Sequence, residues 1–231
     1  MHQLEQMGKK IILTGATGYV GEGVLLECLE HPQIDEVLVV GRKTCGRQHP
    51  KLKELLVPDF FQLDGVADRF RGYDGCFYCA GSGSTGVSEA DYTRVNRDTP
   101  IAFAKTVLAA SPQITFIYVS LMGTDSSEKG RVMWARVKGR TENELRRMGF
   151  KQQYNFRPGF IIPSKGQRNP KTWHRVVNSI VSFFAPGLGS TVEVIGLAMI
   201  NSVLRGYPNR ILEVKDMKVL AAGLPEGPRN N

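Results

Sequence analysis

This sequence predicts a doubly wound α/β fold, a parallel sheet with helices on both faces, and three observations carry the prediction. Short β-branched runs alternate with helix-length amphipathic stretches through most of the chain, which is the pattern of parallel strands joined by crossover helices. Three glycines lie between the first run and the first helix. Glycine, proline, hydroxyl or charged residues close each run, so chemically useful groups gather at one edge of the sheet. The 231 residues suit one such domain.

The first strand is expected at residues 10–14. Gly15, Gly18 and Gly21 follow, overlapping a helix over 19–30 whose Val20, Val24, Leu25, Cys28 and Leu29 share one face. In such a unit the first glycine permits a tight turn, the second lets the backbone approach a pyrophosphate, and the third allows close packing of helix on strand. The helix N-terminus then offers free N–H groups to the anion. The spacing is GxxGxxG rather than GxGxxG, and its place between the first strand and a helix makes it a dinucleotide fingerprint.

Residues 36–40, EVLVV, give a second buried strand ending in Gly41, Arg42 and Lys43. At this distance from the glycines an acid receives the ribose 2′-hydroxyl of NAD, whereas a basic residue accommodates the 2′-phosphate of NADP. Arg42 and Lys43 therefore point to NADP over NAD. A short third strand is expected within 56–63, ending at Asp64. That acid reads equally as a partner for the adenine amino group or as a turn former before Gly65. Residues 75–81, GCFYCAG, form the fourth strand, and Cys79, Ala80 and Gly81 leave room for a ribose and nicotinamide against the backbone.

A glycine-serine loop leads into a helix over 89–110. Asn96 within it reads either as support for a catalytic group or as a solvent-facing polar residue. Residues 114–120 form the fifth strand, ending on the Ser120 hydroxyl. In the next helix Trp134, Val137, Thr141, Leu145 and Met148 follow helical spacing towards the core, with Arg136, Arg140 and Arg147 on the other side. Lys138 lies four residues after Trp134 and shares its face. A lysine on the apolar side needs a partner, which makes it a site candidate.

A sixth strand at 154–157 precedes Pro158, Gly159 and Phe160. Gly15, Arg42, Asp64, Gly81, Ser120 and Pro158 all fall at strand ends, where one crevice collects them. The expectation is a Rossmann-like single domain over 1–231, with a cofactor-binding core at 9–162 and a small C-terminal substrate lobe at 163–231. Within that lobe 172–184, with Trp173 and His174, and 194–204 read as helices, and 211–220 as an edge strand or final turn. His174 reads as a surface or lobe-packing residue.

Composition narrows the function. Apolar residues make up 42% of the chain, enough for a sizeable core, and the longest apolar run, 176–188, is interrupted and too short to span a bilayer. With no signal-peptide pattern at the start, the sequence reads as a soluble, cytoplasmic protein. Cys28, Cys45, Cys76 and Cys79 fit a reducing compartment. The Cys76 and Cys79 pair lies in a strand, where a spacing of three points the two side chains to opposite faces, so it reads as structural thiols rather than a redox or zinc pair. The net charge of +8 is concentrated at 129–175, which holds thirteen Lys or Arg against two Glu. That concentration favours an anionic substrate or an acidic protein partner. No nucleic-acid motif accompanies it.

TGATGYVG at 14–21, Val95-Asn96, Val119-Ser120, Lys138 and Arg157-Pro158-Gly159 together resemble the atypical NAD(P)-binding branch of the short-chain dehydrogenase/reductase superfamily, related to the epimerase/dehydratase enzymes. VKGRTENEL followed by FRPG is similar to the Tat-interacting-protein-like oxidoreductases. The resemblance covers 9–162. It implies hydride transfer between the nicotinamide C4 and a carbonyl or alcohol carbon. The implied cofactor-binding residues are Gly15, Thr17, Gly18, Tyr19, Val20, Gly21, Arg42, Lys43, Asp64, Cys79, Ala80, Gly81, Lys138, Pro158 and Phe160. The family's catalytic set is Ser, Tyr and Lys, and Ser120 and Lys138 match it.

The tyrosine position, four residues before the lysine, holds Trp134. An indole N–H donates a hydrogen bond but is no acid or base near neutral pH. Loss of general acid catalysis costs roughly 10²- to 10⁴-fold in rate. Two readings follow from the sequence: an NADP-dependent oxidoreductase acting on a small carbonyl or alcohol, or a catalytically impaired NADP(H)-binding sensor or scaffold. Epimerase chemistry would need the same missing tyrosine as its base.

Overall fold

Alternating buried positions in the first strand split the core between the two faces of one sheet. A computed structural model describes residues 8–168 and 189–223. The expected helix at 172–184, with Trp173 and His174, lies outside the described residues. In chain order the elements are β1 (Lys9–Thr14), α1 (Tyr19–Glu30), β2 (Ile34–Gly41), β3 (Leu52–Leu56), a 3₁₀ helix (Asp64–Phe70) and β4 (Gly75–Tyr78). Then come α2 (Glu89–Thr93), a π turn (Arg94–Asp98), α3 (Thr99–Ala110), β5 (Thr115–Val119), α4 (Met133–Arg147) and β6 (Gln152–Phe156). The chain continues with β7 (Phe160–Ile162), β8 (Gly189–Thr191), α5 (Val192–Arg205), β9 (Ile211–Leu212) and α6 (Val214–Ala221).

Seven strands pair in the order β3-β2-β1-β4-β5-β6-β9, all parallel, and β7 and β8 form a separate two-stranded pair. The order reverses at β1, so the crevice between the carboxyl ends of β1 and β4 is the topological switch point. Ile11 and Leu13 pack with Val24 and Leu25 of α1 and Met199 and Ile200 of α5. Ile12, one residue out of phase, packs on the opposite face with Leu38, Phe103 and Phe116. Burying each such side chain contributes about 1.5–3 kcal/mol. The fold class read from the sequence is the one observed, a Rossmann-like α/β sheet.

Cys76 and Cys79 do face opposite sides: Cys76 belongs to the second core cluster and Cys79 packs against the first. Burial pushes both thiols well above the ordinary cysteine range, and the described cysteines are all free. The expected third strand needs correction. It occupies Leu52–Leu56, four residues early, and pairs only with β2. Only Leu55 of this edge strand is buried, and Lys53-Glu54 breaks the alternation of apolar and polar residues that marks a half-buried strand, while the equally apolar VPDFF run just beyond it forms a turn.

The helix expected at 89–110 is present but broken by the π turn at Asn96. Residues 211–220 give both a two-residue strand joined to β6 and a helix, while α5 packs on α1.

One glycine fixes how closely α4 approaches the loop after β5. A Cβ on Gly139 would lie 1.8 Å from the Asp125 carbonyl oxygen, a backbone atom with little freedom to retreat. The Asp125 amide also donates to Ala135 O at 3.1 Å. Gly139→Ala is therefore expected to destabilise the protein by about 1–3 kcal/mol. A urea-denaturation midpoint unchanged from the parent would contradict this packing.

Candidate functional site

The glycine turn forms because three stretches of backbone meet with no room for side chains. Gly15 has φ +75°, and a Cβ there would lie 2.7 Å from Ala80 N; one on Gly21 would lie 2.2 Å from Gly15 O. Gly18 N donates to Gly15 O at 2.8 Å, and Glu22 N to Gly18 O at 3.0 Å. The helix carries no side-chain N-cap, so the amides of its first turn have no capping oxygen from Gly18. Gly15 and Gly18 thus border the crevice, whereas Gly21 serves the turn itself.

Over the ends of β1, β2 and β4 opens a cavity of about 380 Å³. Of the residues expected at the cofactor site, it brings together Gly15, Thr17, Gly18, Arg42, Lys43, Cys79, Ala80 and Gly81. Ser120, Lys138, Pro158 and Phe160 lie outside its lining, as do Tyr19, Val20 and Gly21. The Tyr19 hydroxyl instead donates to Ile161 O at 2.8 Å, tying α1 to β7. Pro158 is buried and its carbonyl accepts from Met122 N at 3.0 Å, while Phe160 is exposed.

Asp64 does not reach the cavity. It is exposed and opens the 3₁₀ helix, because β3 ends eight residues before it. The turn after β3 supplies Pro58, Asp59, Phe60 and Phe61 instead, and the π turn adds Arg94 and Val95, with Thr99 just beyond. Sequence reasoning missed both groups. The one signal was the VPDFF run, apolar residues in a turn directly after a strand end.

Two carboxylates hold the loop that presents Arg42 and Lys43. Glu54 accepts from the Thr44 hydroxyl and the Cys45 amide, both at 2.7 Å. Desolvation pushes its carboxyl up, but those two bonds outweigh burial and hold it below the usual range. Glu22, 2% exposed in α1, accepts from Arg47 at 2.5 Å and from the Arg168 amide at 2.9 Å. A buried carboxylate so close to the helix N-terminus is tolerated because an arginine offsets it.

Asn96 is buried at 2% exposure, not solvent-facing. Its amide bonds the Gly81–Ser82 loop through Ser82 N at 3.2 Å and Ser82 Oγ at 3.1 Å. The π turn frees its carbonyl, which accepts from the Tyr118 hydroxyl at 3.0 Å and lies 3.0 Å from the Thr141 hydroxyl. One asparagine thereby joins the cavity floor to β5 and α4.

The second half of the crevice is organised by a buried ion pair. Arg157 donates to both oxygens of Glu142, at 3.0 and 2.5 Å, and to Ser126 Oγ at 2.6 Å. Desolvation lowers the Arg157 pKa, but Glu142 outweighs it and the net direction is upward. Ser120, 5% exposed, donates to Glu142 Oε1 at 2.5 Å, with the Phe156 carbonyl 3.1 Å away as an alternative acceptor.

Lys138 Nζ lies 3.5 Å from the Tyr118 hydroxyl and 5.4 Å from the centre of its ring. That phenol is 1% exposed, and burial pushes it well above the ordinary tyrosine range, so it does not replace the missing family tyrosine. Trp134 is half-buried rather than core-facing, with its ring against Gly123. Part of the basic stretch is engaged: Arg136 pairs with Glu89, Arg140 lies 3.9 Å from Glu128, and Arg146 donates to Asn143.

Burial pushes the Lys138 ammonium down to about 8, with Glu142 opposing. An unfolded lysine titrates near 10.4. Between these values the folded state binds fewer protons than the unfolded one, so stability rises with pH. The parent is thus expected to gain stability relative to Lys138→Met as pH rises from about 8 towards 10, read as an increase in the parent's urea midpoint minus the variant's. A signed difference that stays flat or falls would contradict the low pKa.

No family model matches the chain. A rat protein named Protein HTATIP2 is 24% identical over 230 residues, covering 97% of this chain and 94% of that protein. Protein fmp52, mitochondrial, of Emericella nidulans is 24% identical over 219 residues, covering 87% and 90%. Other fungal relatives carry the same mitochondrial name, and they overturn the expectation of a cytoplasmic location. Among solved structures, the PhqB reductase domain of Penicillium fellutanum superposes with a TM-score of 0.67 at 17% identity, covering 90% of this chain and 67% of that one. The Bordetella bronchiseptica enzyme WbmF, solved in complex with NAD+, gives 0.64 at 14%, covering 98% and 84%. A similarity running nearly end to end, on a sheet whose switch point carries the glycine turn, shows that this chain shares the Rossmann-like α/β fold of these solved structures and is similar over almost its whole length to Protein HTATIP2.

Proposed function

We propose that the protein is an NADP-dependent oxidoreductase that exchanges hydride with a small carbonyl or alcohol substrate. The observation that carries this reading is the cavity at the switch point, which combines an uncapped helix start, side-chain-free backbone and two exposed cations. These features fit a dinucleotide: the amides of α1 face its pyrophosphate, and Arg42 and Lys43 answer a 2′-phosphate. The complex of WbmF with NAD+ supports a nicotinamide dinucleotide. The names of the fungal relatives support a mitochondrial setting.

When bound, the nicotinamide supplies or accepts the hydride. The chain's own residues divide the rest. Gly81, held by Asn96, keeps the floor low for the ribose, and Lys138 is the group available to hold the ribose hydroxyls. The Ser120 hydroxyl would have to leave Glu142 to polarise a substrate oxygen. Within the basic stretch, Arg136 and Arg157 are paired with carboxylates and Arg146 bonds Asn143, so these three give an anionic substrate little support.

Trp134 favours a second reading, a cofactor-binding sensor or scaffold with little turnover, reporting NADP(H) to a protein partner. NADPH oxidation assayed against a panel of small carbonyls separates the two. Turnover with any member supports the first; tight binding with none supports the second.

Arg42→Ala is expected to weaken NADP binding by about 10- to 100-fold, the value of a charge-assisted phosphate contact. NAD affinity should change by no more than about 2-fold. Isothermal titration with both dinucleotides reads the ratio, and equal losses for NADP and NAD would contradict the role given to Arg42.

A further inference from the structure

Arg94 and Phe61 form a pair at the cavity, apart from the Arg42 and Lys43 cations. The Arg94 guanidinium lies over the Phe61 ring, 5.0 Å from its centre, and both residues line the cavity. Both are solvent-exposed, Phe61 at 43%. Among the described residues no ion pair engages Arg94, whereas Arg97, three residues on, is held by Asp98 and Glu144. The backbone on each side is fixed. Phe61 N donates to Asp59 Oδ1 at 2.9 Å, and the Arg94 carbonyl accepts from the Thr99 hydroxyl at 2.7 Å within the π turn.

We infer that Arg94, backed by Phe61, is the stacking surface for the adenine base of the dinucleotide, and so a base-binding residue. A guanidinium 5.0 Å above an aromatic ring leaves no gap for a base between them, and Arg94 is exposed in the cavity lining, where a base can meet it. A planar, delocalised cation stacks on π-faces in a way a point charge does not. The neighbouring Phe60 is committed elsewhere, packed at 5.4 Å against Phe103 in the core. Asp59 spends its carboxylate on the turn amides rather than on the cavity. The cavity thus separates its tasks: Arg42 and Lys43 answer phosphate, and Arg94 and Phe61 answer the base. This inference rests on the dinucleotide reading.

The test uses 5′-AMP and 2′,5′-ADP as probes, titrated calorimetrically into the full-length parent, Arg94→Ala, Arg94→Lys and Phe61→Ala. Because both positions are exposed, the fold should persist, which circular dichroism verifies. Arg94→Ala is expected to weaken both nucleotides by the same factor, about 5- to 30-fold. Arg94→Lys should recover only part of that loss, and Phe61→Ala should weaken both probes to a smaller extent. A loss confined to 2′,5′-ADP, or fully reversed by Arg94→Lys, would make Arg94 a phosphate ligand and overturn the stacking role. Unchanged affinity in Arg94→Ala would overturn it as well. If the parent bound neither probe, the dinucleotide reading itself would fall. Parent binding with an indifferent Arg94 would fell this inference alone.

Discussion

The carboxyl end of β1 has no room for one extra carbon atom. Gly15 abuts Cys79 and Ala80 of the neighbouring strand end, and Gly21 abuts Gly15 across the turn, at distances no Cβ tolerates. Because these three backbones touch, α1 starts immediately at the crevice and aims its first amides into it. The cavity, the low floor at Gly81 and the placing of the Arg42 loop all follow from that contact. Glu22 and Glu54 then hold the loop through Arg47, Thr44 and Cys45, so the cations are positioned by carboxylates that lie outside the cavity lining.

The other half of the crevice obeys a different constraint. Taking Glu142 and Arg157 out of water is costly and is offset only when both charges are well bonded. Arg157 meets both oxygens of Glu142, and Ser120 and Ser126 complete the set. The network joins β5, β6, α4 and the loop between β5 and α4, and it commits the Ser120 hydroxyl. With Trp134 at the tyrosine position of the enzymes this chain resembles, and Tyr118 sealed beneath Lys138 with its phenol pushed well above the ordinary range, neither ring serves as an acid or base near neutral pH. On the proposed reading, binding a dinucleotide and using it are then separable.

The sheet, the glycine turn and the grouping of Arg42 with Gly81 were legible in the sequence, because hydrophobic period and glycine spacing are local signals. β3 was misplaced because Lys53-Glu54 interrupts its alternation of apolar and polar residues, leaving the adjacent VPDFF run an equally apolar candidate. That slip hid Phe60 and Phe61 and promoted Asp64. Arg94 was hidden for another reason: a π turn leaves no mark in helical periodicity, and the break at Asn96 decides which side chains face the cavity. Ser120 was found by its position, but its bond to Glu142 depends on a contact 22 residues away that no local pattern shows.

The separation of binding from turnover is tested most directly by single-turnover NADPH oxidation against a carbonyl panel, comparing the parent with Trp134→Tyr. If the indole is what withholds the proton, restoring the phenol above Lys138 should raise the rate by about 10²- to 10⁴-fold with NADPH affinity unchanged. A parent already as fast as Trp134→Tyr would contradict the account.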